Sequence, residues 1–288
     1  MYTNIVFSGG GVRGIAYVGA LRQLEKLNLL QNIHNYAGSS VGSLIASLIA
    51  IGYTVKEIKQ LLTTIDFNKI LDDDCGYVRD IFNFLKHYGY ASGDYIYKLL
   101  GKMIKDKTGN KDYTLEDLYK TGKKLVITAT NLNTRSVVFL QAGHINPLYS
   151  NIPIRKAVRM SMSIPFVFQP ILYNDCFFCD GGVLNNYPIT CFDVDDMRVN
   201  NDLHHKGKTL GLKLTQHVPE KEEITNLYDY SYSYIETFLA ENDRHTIDPD
   251  RTILIETDNY PLAKFDLTFI EKQTLIKQGK DAVKHYFK

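Results

Sequence analysis

The hydrophobic pattern of the chain alternates between short apolar runs, typical of buried strands, and longer stretches with the spacing of helices. The first short run is Ile5-Val6-Phe7, and residues 15–24, which follow it, have helical spacing. The same order recurs at residues 33–37 and 41–51. Further strands are predicted at residues 124–130, 136–140, 176–179, 209–214 and 253–256.

Start and stop signals help to place the helices. Thr114-Leu115-Glu116-Asp117 is typical of a helix start, and Gly122 of a stop. Helices are predicted at residues 14–29, 41–51, 54–64, 78–87, 93–107, 114–120, 154–162, 220–243 and 266–286. Strands that alternate with helices favour an α/β fold, in which helices flank a central, largely parallel sheet. The length favours a single domain over residues 1–288.

Composition and charge exclude several classes of protein. The net charge is +1 and 44% of the residues are hydrophobic, so the chain can bury a core but has no strong field for nucleic acid. The chain starts with a strand pattern instead of a signal peptide. Its longest apolar run, around residues 44–51, is too short to span a membrane. We therefore expect a cytoplasmic protein, at most peripheral at membranes, without a nucleic-acid partner.

The four cysteines do not form a metal site in this pattern. They are Cys75, Cys176, Cys179 and Cys191. Cys176 and Cys179 lie three apart on a predicted strand and therefore point to opposite faces. No second pair of cysteines or histidines completes a zinc set. We expect free thiols, no metal and no cofactor.

A G-x-S-x-G motif, Gly38-Ser39-Ser40-Val41-Gly42, lies between a predicted strand and a predicted helix. A nucleophile elbow requires this context of strand, tight turn and helix. The small flanking residues let the backbone turn tightly and let a substrate carbonyl approach the serine. A plain Gly-Ser turn is the alternative, because both residue types are common in loops.

A second glycine-rich stretch, Gly9-Gly10-Gly11-Val12-Arg13-Gly14, precedes the first predicted helix. Unshielded amides at a helix N-terminus bind anions, either a dinucleotide pyrophosphate or the oxyanion of a tetrahedral intermediate. A dinucleotide-binding unit also needs an acidic residue about 20 positions later, at the end of the second strand. That strand is followed by Gly-Ser-Ser, with no acid nearby, so the dinucleotide interpretation is disfavoured.

A serine nucleophile also needs a base, and none of the eight histidines lies in a tight glycine-rich turn. A carboxylate is the other option. Asp180 follows the predicted strand at 176–179 and precedes Gly181 and Gly182. This is where α/β enzymes place functional groups, although the tripeptide alone is also typical of a simple turn.

Taken together, the three glycine-rich motifs resemble, in order and spacing, the three signatures of the patatin-like phospholipases. Residues 161–170 and 183–188 are also similar to segments of that family. The resemblance covers about residues 3–215, with a helical insertion at about 54–122, and leaves a C-terminal strand and helices at about 216–288. It implies a three-layer α/β sandwich.

The resemblance also implies a serine acyl hydrolase that cleaves lipid esters, above all phospholipids, by a Ser-Asp dyad. Ser40 matches the nucleophile, Asp180 its partner, and residues 9–14 the oxyanion loop. Gly38, Gly42, Gly181 and Gly182 complete the motifs. The expected partners are a phospholipid or other lipid ester and, transiently, a membrane or micelle surface. A neutral-lipid lipase, an acyltransferase and a non-catalytic lipid-binding protein remain alternatives.

The sequence leaves the roles of three features undecided. Arg13 has three candidate roles: it steers a lipid phosphate, fixes the glycine loop or forms a surface salt bridge. The insertion at 54–122 is either scaffold or a cap over the site. A predicted aromatic helix at 227–239 is apolar around most of its girth, which favours burial. Both segments are also candidates for contact with lipid.

Overall fold

The computed structural model describes residues 1–65, 86–143, 147–193, 208–216, 248–257 and 266–288, and the single positions 224, 230, 233, 234, 237 and 260. Ten strands lie in these ranges: β1 Asn4–Phe7, β2 Asn35–Gly38, β3 Gly89–Ala91, β4 Lys124–Asn131, β5 Ser136–Leu140, β6 Phe166–Phe168, β7 Ile171–Tyr173, β8 Cys176–Asp180, β9 Thr209–Gln216 and β10 Thr252–Thr257. Eight of them form the central sheet, and β3 and β6 pair separately.

The described residues also form eight α-helices: α1 Ala16–Lys26, α2 Val41–Ala50, α3 Val55–Thr64, α4 Asp94–Thr108, α5 Leu115–Tyr119, α6 Ile154–Ser161, α7 Gly182–Asn185 and α8 Phe269–Tyr286. A 3-10 helix at Gly11–Ile15 leads into α1. The predicted start signal at Thr114 is a reciprocal capping box with Asp117, which satisfies amides at the N-terminus of α5.

The central sheet is mixed. Its order is β10-β9-β1-β2-β4-β8-β7, with β5 also paired to β4. The strands from β10 to β4 are all parallel. β8 is antiparallel to β4, β7 to β8 and β5 to β4. The predicted α/β fold is thus confirmed, with a parallel half and an antiparallel end.

Alternating side chains of the strands bury both faces of this sheet. Ile5 and Phe7 belong to the larger apolar cluster, which includes side chains of α1, α2 and α8. Val6 belongs to a second cluster with Tyr187 and Phe192, from the segment that follows α7. The sheet is therefore the middle layer of a sandwich.

Most predicted elements are present, within a few residues of their expected bounds. The sequence pattern missed β3, β6 and β7, because each has only three residues and shows no periodicity. The helices predicted at 78–87 and 220–243 fall largely outside the described residues. None of the described helices is long and apolar enough to cross a membrane.

The aromatic helix expected at 227–239 also lies mostly outside the described residues. Tyr230 and Tyr234 are described, and each exposes 59% of its surface. The expectation that this helix is buried is wrong for these two side chains. Tyrosine tolerates such a position because its ring is apolar while its hydroxyl can bond to water.

Candidate active site

Ser40 lies at the sharp turn between β2 and α2, with φ 50° and ψ −126°. This positive φ is uncommon for a serine and persists only where the surroundings enforce it. Close backbone contacts do so here. A Cβ on Gly38 would lie 2.3 Å from the carbonyl carbon of Gly42, and one on Gly42 would lie 2.5 Å from the carbonyl oxygen of Phe7. The glycines of the motif therefore allow the tight elbow that presents Ser40.

Asp180 reaches Ser40 because β2 and β8 both pair with β4 and run toward each other along it. Gly38 of β2 is opposite Ile127, and Asp180 of β8 is opposite Ala129. The approach is close, since a Cβ on Gly181 would lie 2.7 Å from the Ser39 hydroxyl oxygen. The two motifs therefore meet although they are far apart in sequence.

The Asp180 carboxyl is buried, and one of its oxygens accepts no hydrogen bond among the described residues. Burial raises its pKa to about 7, while contact with the Ser40 side chain and the Gly182 amide opposes the rise. Oδ1 accepts a hydrogen bond from the Gly182 amide at 2.7 Å. Oδ2 is buried and has no hydrogen-bond partner among the described residues. The Ser40 side chain contacts the Asp180 carboxyl as well.

The glycine loop presents free backbone amides next to Ser40. The Gly9 amide donates to the Asn186 carbonyl and the Arg13 amide to the Gly10 carbonyl. Within the described ranges, no acceptor is found for the amides of Gly10, Gly11 and Val12. The amide of Val41, the first residue of α2, is open in the same way. These donors form a cradle for negative charge.

Arg13 is buried below the glycine loop. Its Nε donates to the Gly10 carbonyl at 3.2 Å. Of the three roles considered for Arg13, this contact matches the fixing of the loop. Gly14, the next residue, leaves room for the elbow, because a Cβ there would lie 2.4 Å from a methyl group of Val41.

Two residues near the site were not singled out from the sequence. The Ser161 hydroxyl accepts a hydrogen bond from the Ser40 amide at 2.8 Å. Asn186 bonds to the glycine loop through its carbonyl, and its side chain occupies the space that a Cβ on Gly9 would need. Both residues fall in the segments 161–170 and 183–188, whose similarity to the family was the available signal.

An apolar cavity opens at Ser40. It encloses about 790 Å³ including its open mouth, and carbon atoms form almost all of its wall. Beyond the glycine loop and the elbow, its lining comprises Ile15, Leu44, Leu62, Ile65, Ile96, Leu99, Leu100, Met103, Met162, Ile164 and Phe168. The predicted insertion contributes six of these residues, five from helices α3 and α4 and one, Ile65, directly after α3. The described part of the insertion is therefore a wall of the site.

In the part of the chain that the structure describes, no three His, Cys, Asp or Glu side chains are close enough to hold a metal ion. Cys176, Cys179 and Cys191 form no disulfide among the described residues, and burial raises the pKa of Cys179 to about 12. Cys75 lies outside the described residues.

Comparison with known proteins agrees with this geometry. The family model of the patatin-like phospholipases matches residues 5–193. The chain is 32% identical to the uncharacterized protein YqhO of Bacillus subtilis, over 100% of this chain and 99% of that protein. It is 31% identical to the probable lipid hydrolase 463L of Invertebrate iridescent virus 6, over 96% of this chain and 89% of that protein.

The chain therefore belongs to the patatin-like phospholipase family, and it is a hydrolase that acts on ester bonds. VipD from Legionella pneumophila has a similar fold, with a TM-score of 0.70 at 17% identity. The match covers 99% of this chain and 66% of the VipD chain. The family and the fold class predicted from the sequence are thus confirmed.

Proposed function

We propose that this protein cleaves fatty-acyl esters of phospholipids through a Ser40–Asp180 dyad. The proposal rests mainly on one arrangement of residues. A buried carboxyl with an open oxygen lies against a serine at a strained elbow, and an apolar cavity opens at the same serine. A nucleophile, a base and a place for an acyl chain are therefore adjacent.

In the first step, Asp180 accepts the proton of Ser40 while Oγ attacks the ester carbonyl. The carbonyl electron pair moves to the oxygen, and the open amides of Gly10, Gly11 and Val41 stabilise that oxyanion. Loss of one such donor typically costs about 3 kcal/mol of transition-state stabilisation. The intermediate then collapses, and the leaving lysophospholipid alkoxide takes the proton from Asp180.

In the second step, water attacks the acyl-enzyme with Asp180 again as the base. The ester bond to Ser40 breaks, the fatty acid leaves and the serine recovers its proton. A pKa of about 7 suits both steps, because a base works best when its pKa is close to the operating pH. The burial of Asp180 thus tunes the dyad for neutral solution.

The cavity supports a long acyl chain as the group that is bound. The described residues that line it include no charged side chain, and burial of each methylene contributes about 0.8 kcal/mol. The exposed rings of Tyr230 and Tyr234 support transient contact with a lipid surface, since tyrosine suits a boundary between apolar and wet regions.

The substrate class can be tested by product analysis. The purified enzyme is given phospholipid vesicles, a triacylglycerol emulsion, and phospholipid with an added alcohol acceptor. We expect equimolar fatty acid and lysophospholipid from the vesicles. Faster cleavage of triacylglycerol would favour a neutral-lipid lipase, and transfer to the alcohol would favour an acyltransferase. Retention of lipid without turnover would favour a lipid-binding protein.

A further inference from the structure

The C-terminal end of α6 contacts both members of the candidate dyad. The Ser161 hydroxyl accepts the Ser40 amide at 2.8 Å. The Ser161 carbonyl accepts the Gly181 amide at 3.3 Å, and the Ser163 carbonyl accepts the Asp180 amide at 2.8 Å. Ser161 and Ser163 are completely buried. Residues 161–163 therefore hold the backbone at both Ser40 and Asp180.

These contacts differ in their dependence on residue type. The two carbonyl contacts would survive almost any substitution, because every residue has a carbonyl. The Ser40 amide is held by a side chain, so its contact depends on the hydroxyl at position 161. No backbone acceptor for that amide is found in the described ranges. Ser40 needs such support, because its φ of 50° persists only where the surroundings enforce it.

The segment itself is rigidly held by Arg159, which is almost fully buried. Its Nη1 donates to the Ser163 hydroxyl at 2.6 Å, and its Nη2 donates to the Ser92 carbonyl at 2.8 Å. Its guanidinium also lies 5.1 Å from the centre of the Phe168 ring, which lines the cavity. Arg159 therefore anchors the segment that carries Ser161, whose side chain is itself completely buried.

We propose that Ser161 is a positioning residue for the nucleophile. By holding the Ser40 amide, it sets the distance of the Ser40 hydroxyl from Asp180 Oδ2 and from the open amides of the glycine loop. This inference rests on the proposed function, because positioning has meaning only if Ser40 reacts. Ser161 does not touch the reacting atoms.

Loss of the hydroxyl should therefore affect turnover more than substrate binding. A misplacement of about 1 Å at a reacting group can cost about a hundredfold in rate. The cavity walls do not include Ser161, so the KM should change little. Burial is the largest influence on the pKa of Asp180, so the pH at which the rate falls should stay nearly in place.

The test compares Ser161→Ala and Ser161→Cys with wild type, Ser40→Ala and Ser47→Ala. Cysteine keeps the shape of serine, is somewhat larger and is a weak acceptor, so it serves as a second variant that fills the site if the alanine variant folds poorly. Ser47 is the matched control, because it is also a buried helical serine with one internal hydrogen bond, to the Ser43 carbonyl. The kcat, the KM, the pH profile and the unfolding temperature are measured for each variant on phospholipid micelles.

For both Ser161 variants we expect a kcat lowered about tenfold or more, a KM within about threefold of wild type and an unchanged acid limb. Ser47→Ala should retain the wild-type kcat. A wild-type kcat in a folded Ser161 variant would overturn the inference, as would a loss in Ser47→Ala equal to that in Ser161→Ala. If Ser40→Ala itself retained full turnover, the proposed function would fall, and this inference with it.

Discussion

Asp180 contacts Ser40 because β8, which ends at Asp180, and β2, which ends two residues before Ser40, run toward each other along β4. Gly38 and Asp180 are opposite Ile127 and Ala129, only two positions apart on that strand. This contact requires β8 to be antiparallel to β4. A parallel strand in the same place would have its first residue, and not its last residue Asp180, next to the elbow. The mixed sheet is thus what brings the two motifs together.

The close approach behind this contact predicts the effect of Gly181→Ala. The new methyl group would lie 2.3 Å from the Thr128 carbonyl oxygen and 2.7 Å from the Ser39 hydroxyl oxygen. We expect a destabilisation of about 1–3 kcal/mol from overpacking, together with a large loss of turnover. Thermal unfolding and fatty-acid release measure the two effects.

Gly101→Ala is the control for that substitution. Its methyl group would lie 3.3 Å from the Arg155 side chain and 3.7 Å from the Lys111 Cβ, so a shift of a few tenths of an ångström is enough, and alanine favours the helix by up to about 1 kcal/mol. Gly101→Ala should therefore retain stability and turnover. An equally harmless Gly181→Ala would show that Asp180 and the elbow are not tightly packed.

The raised pKa of Asp180 predicts the pH dependence of the reaction. The carboxyl must be ionised to accept the Ser40 proton, and burial raises its pKa to about 7. The rate should therefore rise with pH and level off above about 7. Substrate-saturated initial rates from pH 4 to 9 give this curve. A rate that is already constant from about pH 5, where an ordinary aspartate is ionised, would argue against this base.

The same shift predicts that Asp180→Asn makes the protein less active and more stable. An amide cannot accept the proton, and removal of a triad aspartate in other enzymes costs about 10⁴ in rate. Because the pKa of Asp180 in the folded protein lies above the ordinary aspartate value of 3.8, ionisation of Asp180 costs stability as the pH rises from about 4 to about 7. The stability of Asp180→Asn relative to wild type should thus increase through that range.

Chemical unfolding at pH 4 and pH 8 measures this difference, and His34→Gln is the control for turnover. We expect His34→Gln to retain most activity, as should single changes of the other histidines. A histidine variant that folds and loses as much activity as Asp180→Asn would replace the dyad with a triad. A stability difference that does not depend on pH would contradict the shifted pKa.

The cavity predicts a change of acyl-chain preference in Leu99→Trp. Leu99 lines the cavity and is only partly buried, so a larger side chain can be accommodated while the space for an acyl chain shrinks. We expect kcat/KM to fall for long-chain esters and to hold for short ones, measured over a series of chromogenic esters. The exposed neighbour Lys98 provides the control Lys98→Trp. A uniform loss at all chain lengths would place the acyl chain elsewhere.

The sequence predicted the parts of this fold that have a local signal. The parallel strands β1, β4 and β10 contain short apolar runs, β9 alternates apolar residues with others, and the three glycine motifs mark tight turns. The direction of β8 has no such signal, because an apolar run looks the same in either orientation. The contact of Ser161 with Ser40 joins residues 121 positions apart, and it arises only from the packing of α6 beneath the elbow.

The hydrophobic pattern of the sequence did not predict the cavity either. Apolar positions of α3 and α4 are typical of any helix that packs on a core. Only the assembled structure leaves a space between these helices and the elbow. For the same reason, the insertion could not be assigned as scaffold or cap from its composition.

The most direct measurement of the central claim is fatty-acid release from phospholipid micelles by Ser40→Ala beside wild type, at equal concentrations of folded protein. Loss of the nucleophile in a serine hydrolase lowers kcat by about 10⁶, so we expect no release above the background rate. Circular dichroism and thermal unfolding establish that the variant is folded. Substantial turnover by folded Ser40→Ala would contradict Ser40 as the nucleophile and, with it, the proposed mechanism.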